Sequence, residues 1–448
     1  MSESVFVFGV KGLDHAYGKA LRPGMLIAIA GHPGAGKTTL ALMMCLANIK
    51  RGHRCLFVST QEDEFKIRDN CRNLGLDVAE AIESDHLKFV KLPMPSSDEA
   101  VDSAVETIAN LVLKYRPQIV VVDSISSFMK ILVDVKRRAL LQNFFSGLAK
   151  DIEGLVIVTV EVPLSTMYIE NTGDIEFVAD AIIALKYSII RGTPSRRLEI
   201  QKLRGHSIEV AGAPFTFVKG SGIEVVYPYE YFEDSSRQRE EKVFMLSMKT
   251  LDKIIGGIRS GEIATIATSS LQLSMRCAIN LARKIAAVNS ARVLFFSTVP
   301  MEVTRVNVDG GELIVVSSDP TRESLSDLAV KFHKSLEEFK PDVAVTFGID
   351  LVNTLISKEE REEFYRYVVM NANKARNTHI ALVELVAATS PSEPLLALLS
   401  QLSDIFVVLE DGHVGLPERK SIARIRGVVQ TLQQPEGQEA LAELCLEK

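Results

Sequence analysis

Tryptophan is absent, and aromatic residues make up only 6% of the chain. Neither shortage excludes a function class. A basic excess is also missing, with 51 Lys and Arg against 57 Asp and Glu, for a net charge of −6. A dedicated duplex-DNA binder neutralises phosphates with a basic surface, so this balance argues against that class and leaves room only for a local basic groove. The cysteines are Cys45, Cys55, Cys71, Cys277 and Cys445, an odd number with no C-x-x-C spacing. That argues against a zinc site or a disulfide framework and for a reducing interior. No apolar run reaches the ~18 residues a membrane helix needs. The stretch "MSESVFVFGVKGLDHAYG" has no charged segment leading into a long apolar core, so no signal peptide is read. The expectation is a cytoplasmic protein with no membrane partner.

With 448 residues, 47% of them hydrophobic, the chain is too long for one ordinary core, and roughly two domains of 200 residues or more are expected. Self-comparison finds them. "VFGVKGLDHAYGKALRPGMLIAIAG" (Val7–Gly31) lines up with "FMLSMKTLDKIIGGIRSGEIATIAT" (Phe244–Thr268). "RCLFVSTQE" pairs with "RVLFFSTVP", "RPQIVVVDSI" with "KPDVAVTFGI", "VADAIIAL" with "LSDIFVVL", and "KLRGHS" with "RIRGVV". The five blocks keep their order, which reads as a tandem duplication. The first domain is placed at 1–232, a linker at 233–242 inside the polar stretch "YPYEYFEDSSRQREEK", the second domain at 243–432, and a tail at 433–448 with an apolar pattern at helical spacing.

Within each repeat, short apolar runs alternate with helical patterns. "MLIAIAG", "CLFVST", "IVVVDS" and "LVIVTVE" are near-continuous Val/Ile/Leu runs, as strands buried on both faces of a parallel sheet are. Helices are expected at Thr38–Lys50, Asp98–Tyr115 and Val135–Lys150. "AIIALKYS", "RRLEIQKLRG" and "PFTFVKGSGIEVV" alternate apolar and polar residues, the pattern of added antiparallel strands. The fold class is α/β, a mainly parallel sheet flanked by helices.

"GHPGAGKT" (Gly31–Thr38) fits GxxxxGK[ST] between an apolar strand and an apolar-faced helix. Gly31, Gly34 and Gly36 let the backbone approach phosphate oxygens, and the loop amides and helix N-terminus supply donors. The phosphate-binding set is therefore Gly31, His32, Pro33, Gly34, Ala35, Gly36, Lys37, Thr38 and Thr39. Lys37 bridges the β- and γ-phosphates of ATP in this reading, and the Thr38 hydroxyl ligates Mg²⁺. Asp123 ends the strand "IVVVD" beside the loop, and is the second Mg²⁺ holder; a turn or cap residue is the bland alternative. In "FVSTQED", Glu62 is the candidate for orienting the attacking water, with Asp63 and Glu64 nearby. A solvated acidic turn is the alternative there.

These residues together resemble the RecA-like ATPases, specifically the KaiC family and its archaeal relatives. "GLDHAYGKALRPGMLIAIAGHPGAGKTTLAL" is similar to that family's entry to the loop, and "RRLEIQKLRGHS" to its late "LEILKLRGTSH" segment. The resemblance spans nearly all of the first repeat and, more weakly, the second. It implies tandem RecA-like P-loop domains, a ring homo-oligomer, often a hexamer, and ATP between subunits. It implies that Lys202 and Arg204 reach a neighbour's phosphates, with Leu203 and His206 at the nucleotide, and that Asn73 contacts it. Where the family has paired glutamates after the second strand, this chain has Gln61 then Glu62. Gln takes no proton, so slow hydrolysis is expected.

Aligned onto the second repeat, the loop positions are Thr268, Leu271, Leu273, Ser274 for Lys37 and Met275 for Thr38. Phe347 stands for Asp123 and Pro300 for Glu62. No hydrolysis and no autokinase activity are expected there. Glu384 is matched to Glu161, Asp404 to Asp180, and Arg424 and Arg426 to Lys202 and Arg204. Three functions compete: a ring-forming regulatory ATPase with one active domain, a RecA/RadA-like DNA recombination paralogue, and a nucleotide-dependent scaffold with negligible hydrolysis. The segment "VPLSTMYIENTGDIEF", where DNA-binding loops would lie, is almost devoid of Lys and Arg, and "VKRR" (Val135–Arg138) is read as a solvated helix face. An unknown protein partner would bind through the second domain.

Overall fold

The structure is a computed structural model that describes residues 6–162, 175–208, 210–225, 241–268, 273–387, 394–409, 422–425, 428–431, 439–440 and 442–444. Two compact units divide the chain: Met1–Ile189 with Pro194–Glu230, and Ile190–Thr193 with Tyr231–Lys448.

The first unit runs α1 (Lys11–Tyr17), β1 (Met25–Gly31), α2 (Lys37–Ile49), β2 (Cys55–Ser59), α3 (Glu64–Leu74), α4 (Val78–Glu83), β3 (Leu87–Lys91), α5 (Asp98–Tyr115), β4 (Ile119–Asp123), α6 (Ser126–Met129), α7 (Val135–Asp151), β5 (Leu155–Glu161), α8 (Ile175–Val178), β6 (Ala181–Ile190), β7 (Thr193–Leu203), β8 (Gly212–Val218) and β9 (Gly222–Val225). Its sheet has the order β3-β2-β4-β5-β1-β6-β7-β8-β9. All seven residues of β1 and all five of β4 are buried, which a strand achieves only with helices on both faces. One face packs Ile27, Ile29 and Phe57 against Leu40 and Met44 of α2, and the other packs Ala28, Val58 and Val122 against Phe128 and Phe145. α5 starts where Ser97 accepts from the Ala100 amide, and α7 where Asp134 accepts from Lys136. Sequence periodicity expected β6 to be antiparallel. It pairs parallel to β1, Ile27 with Ala181 through Gly31 with Leu185, and its outer half is exposed enough to carry the polar alternation.

The second unit contains a short ribbon, β10 (Val243–Phe244) with β11 (Ile258–Arg259), around α9 (Lys249–Ile255). It continues through β12 (Ile263–Thr268), α10 (Met275–Asn289), β13 (Arg292–Ser297), β14 (Thr304–Val308), β15 (Gly311–Ser317), α11 (Leu325–Phe339), β16 (Val343–Phe347), α12 (Ile349–Leu355), α13 (Lys358–Asn377), β17 (Ala381–Ala387), α14 (Pro394–Leu402), β18 (Ile405–Leu409), β19 (Ile422–Ile425) and β20 (Val428–Thr431). The sheet order β14-β15-β13-β16-β17-β12-β18-β19-β20 matches the first from β3 to β8, with an antiparallel β14 added at one edge and no counterpart of β9 among the described residues.

Small hydrogen-bonding devices recur in both units. Asn48 bonds both backbone groups of Val7, and Asn289 those of Met245. Asp180 accepts from the Leu26 amide and Asp404 from the Ile263 amide. These anchors correct two sequence alignments. With Asn48 set on Asn289, Lys37 and Thr38 fall on Ala278 and Ile279 rather than on Ser274 and Met275. Strand register places Glu384 opposite Thr265 and Glu161 opposite Gly31. The counterpart of Glu384 is therefore Val158, and that of Glu161 is Ala387.

Cys45 of α2 and Cys55 of β2 form a disulfide with Cα atoms 6.0 Å apart, Cys277 is also disulfide-bonded, and Cys71 is free and buried. The sequence expected no disulfide framework; helix–strand packing brings Cys45 to Cys55 without any spacing motif. In the tail, Ala440 and Leu444 join the second core, and Glu443 accepts from the Thr250 amide at the start of α9. No helix among the described residues is long and apolar enough to cross a membrane.

Candidate nucleotide-binding site

The loop between β1 and α2 turns on glycine. Gly36 sits at the start of α2 with φ 101°, and a Cβ there would lie 2.7 Å from Phe217 Cζ. The helix has no side-chain cap, so its first amides are left for a ligand. Pro33 and Gly34 are exposed at the tip, Ala35 is buried, and His32 Nδ1 lies 3.2 Å from the Val162 carbonyl, tying the loop to the end of β5. Lys37 is buried and its Nζ donates to the His32 carbonyl at 3.0 Å. Burial lowers its pKa, while the charges of Glu161 and Asp123 resist that.

Thr38 and Asp123 meet as the sequence expected. Thr38 Oγ1 donates to Asp123 Oδ2 at 2.8 Å, and Thr159 donates to Oδ1. Burial raises the Asp123 pKa, and the two hydroxyls and Lys37 draw it back. A hydroxyl and a carboxylate in contact at a strand end, both hard oxygen donors, fit Mg²⁺.

The three acids after β2 separate by role. Asp63 caps α3 by accepting from the Lys66 amide, and Glu64 pairs with Arg68. Glu62 pairs with Lys66 at 2.9 Å, and its charge acts on Asp123, which leaves it the acid facing the site. Sequence reasoning missed a fourth. Glu161, at the end of β5, accepts from Gln61 Nε2 at 2.6 Å and pairs with Lys130 at 3.1 Å. Burial pushes its pKa up, but the bonds from Gln61 and Lys130 outweigh that and hold it below the ordinary carboxylate value. Its register with Gly31 across β1 and β5 was the available signal.

The remaining expected residues do not reach this chain's own loop. Lys202 Nζ donates to the Glu176 carbonyl at 2.6 Å; Arg204 pairs with Asp180 at 3.1 Å and donates to the Phe177 carbonyl. Burial, then the Arg204 charge, lowers the Lys202 pKa. Asp180 also holds the amide of Leu26, so this cluster with Leu203 and His206 lies at the start of β1, while the loop lies at its end. Five strand residues separate the two, roughly 16 Å. Asn73 is exposed on α3, with no hydrogen bond to the loop among the described residues. The "VKRR" cluster is occupied: Arg137 pairs with Asp98 and Asp102, and Arg138 donates to the Leu132 carbonyl. The expected DNA-loop segment lies outside the described residues at 163–174, as do most of the linker, Leu271 and Arg426.

The second unit keeps the frame without these groups. Thr298 donates its amide to Phe347 as Thr60 does to Asp123, so Phe347 takes the Asp123 position. Ala278, Ile279 and Pro300 stand where Lys37, Thr38 and Glu62 are in the first unit.

A parallel sheet with a Gly-rich loop, a buried Lys, and a Thr at the start of the following helix bonded to an Asp at the end of β4 defines a P-loop nucleotide-binding protein of RecA-like architecture. Sequence comparison narrows the class. A family model described as "ATPase: KaiC" matches residues 7–230, and the chain belongs to that family, as an ATP-binding KaiC-like protein. It is similar to the circadian clock protein KaiC3 of Synechocystis sp., 24% identical over 375 residues, which cover 79% of this chain and 74% of the relative. The KaiC oscillator protein of Rippkaea orientalis is 24% identical over 402 residues, covering 83% and 74%. KaiC2 of Synechocystis sp. is 28% identical over 232 residues, covering 49% and 39%.

Proposed function

We propose that this chain binds ATP with Mg²⁺ in its first domain (1–232), hydrolyses it slowly, and works as an oligomeric regulatory switch. The second domain (243–432) is structural or binds a partner. The contact of Thr38 with Asp123 beside buried Lys37 carries the reading. Lys37 and the loop amides hold the β- and γ-phosphates. Thr38 and Asp123 would hold Mg²⁺, which would supply positive charge to offset that on the phosphate oxygens. Glu62 orients the attacking water and takes its proton as the water oxygen bonds to the γ-phosphorus. The bond from that phosphorus to the bridging oxygen breaks, and ADP leaves with the electron pair. Gln61 takes no proton, and its amide is committed to Glu161, so the chain has one general base where its relatives' pattern has two acids.

Lys202, Leu203, Arg204 and His206 act on the ATP of a neighbouring subunit in a ring, and Asn73 contacts the nucleotide; the distance of the Lys202 cluster from its own loop supports a role in trans. Ala278, Ile279 and Phe347 replace every part of the second loop's chemistry, so neither hydrolysis nor autokinase activity is expected in that domain. ATP turnover measured together with particle size in ATP and in ADP is the test. Turnover with a nucleotide-dependent change in size supports the switch. ATP binding without turnover leaves the scaffold, and salt-sensitive binding to single-stranded DNA would replace both with the recombination reading.

A further inference from the structure

The second unit contains a partly open pocket with a cavity volume of about 30 Å³, widening to about 450 Å³ when the space open to solvent at its mouth is counted. Its floor is Phe296 and Thr346 of the sheet; Phe332 of α11, Val352 of α12, and Tyr367 and Asn371 of α13 are among the residues that wall it.

The first unit is an internal control for this space. Strand register pairs Phe296 with Thr346 as it pairs Val58 with Val122. Val352 lies five residues past the end of β16, as Phe128 does past β4, and Asn371 lies ten before β17, as Phe145 does before β5. Phe128 and Phe145 are fully buried and fill the first unit at this place. In the second unit both central rings are gone. Aromatic residues stand around that centre instead: Phe296 in the floor for Val58, and Phe332 for Ile108 and Tyr367 for Leu141 in the walls. An aromatic wall around a vacated centre is the shape that receives a ring.

Two polar groups have been added to the same space. Thr346 replaces Val122, and its hydroxyl is buried without a hydrogen-bond partner among the described residues. Native proteins keep few such groups, and each calls for an explanation. Asn371 replaces Phe145. Its Oδ1 accepts from His333 Nε2 at 2.9 Å, and no hydrogen bond engages its NH₂ group among the described residues. Burial holds His333 neutral, with its pKa lowered to about 4. A hydroxyl and an amide NH₂ suit one acceptor oxygen. No charged side chain lines the pocket, which disfavours a charged ligand.

We propose that this pocket is a binding site for an uncharged, single-ring aromatic compound bearing an acceptor oxygen. Benzamide, benzyl alcohol and p-cresol are the probes and benzoate the charged control, titrated into the full chain by calorimetry and ligand-observed NMR. At least one neutral probe is expected to bind saturably, one per chain, and benzoate to fail. Val352→Phe, which restores the ring of the first unit, is expected to weaken binding by more than about tenfold and to raise the unliganded melting temperature. Thr346→Val is expected to weaken the same probe by about fivefold without filling the space. Absence of saturable binding by all three neutral probes up to about 10 mM overturns the proposal. So does undiminished binding in Val352→Phe, or toluene binding as tightly as the oxygen-bearing probes.

Discussion

Replacing Glu384 with valine tests the comparison of the two units most directly. Glu384 is 3% exposed on β17, and its pKa is pushed up to about 7, by burial first, against the bond from Thr265. The first unit has Val158 at the equivalent position, inside an apolar cluster. The unfolded chain loses this proton near pH 4.5, whereas the folded chain keeps it until about pH 7. Over that window the unfolded state binds fewer protons, so stability falls as pH rises and levels off above the folded pKa. The lost stability approaches about 3 kcal/mol by pH 8, at 1.36 kcal/mol per pKa unit. Glu384→Val removes the penalty without orphaning its neighbour, because Thr265 Oγ1 retains Ser403 Oγ at 2.7 Å. Calorimetric unfolding of the full chain between pH 5 and pH 8 is the assay. The variant is expected to gain little at pH 5, and on the order of 6–12 °C in the second unit's transition at pH 8. A difference that does not change with pH, or a variant less stable than the parent at pH 8, would refute the reasoning.

Other perturbations concern the first unit. Lys37→Ala is expected to weaken ATP binding there by about 10- to 100-fold, the worth of charge-assisted bonds; stoichiometric binding at parental affinity in calorimetry contradicts the loop assignment. Glu62→Gln is expected to lower turnover by about 10²- to 10⁴-fold with ATP affinity kept, and unchanged turnover removes Glu62 from the mechanism. Gly36→Ala puts a Cβ 2.7 Å from Phe217 at φ 101°. It is expected to destabilise the first unit by about 1–3 kcal/mol in denaturant titration, and a neutral effect would show that the loop relaxes.

The loop, Asp123 and the parallel strands of the sheet were legible because each depends on residues fixed at short spacing or on a repeated pattern. Loss of the same residues hid the second loop. Without Gly or Lys to anchor it, the extra turn at the start of α10 could not be placed, and only the tie of Asn289 to Met245 sets the register. Glu384 was drawn to Glu161 by identity alone; strand pairing separates them by three residues. The bond of Gln61 to Glu161 joins positions 100 apart in sequence, and the disulfide of Cys45 with Cys55 joins a helix to a strand. Neither leaves a spacing signature. The parallel pairing of β6 was obscured by its exposed outer half, whose alternation imitates an edge hairpin.

The placement of Lys202 and Arg204 at the start of β1, with the phosphate loop at its end, gives the first unit a front and a back. A contact that carries one chain's cations to the next chain's loop is head-to-tail, and it always leaves one loop and one cation pair unmatched in any finite open stack. A closed ring, of which the two-fold pair is the smallest case, or an unending fibre matches every one, and the angle through which one subunit turns onto the next decides between them.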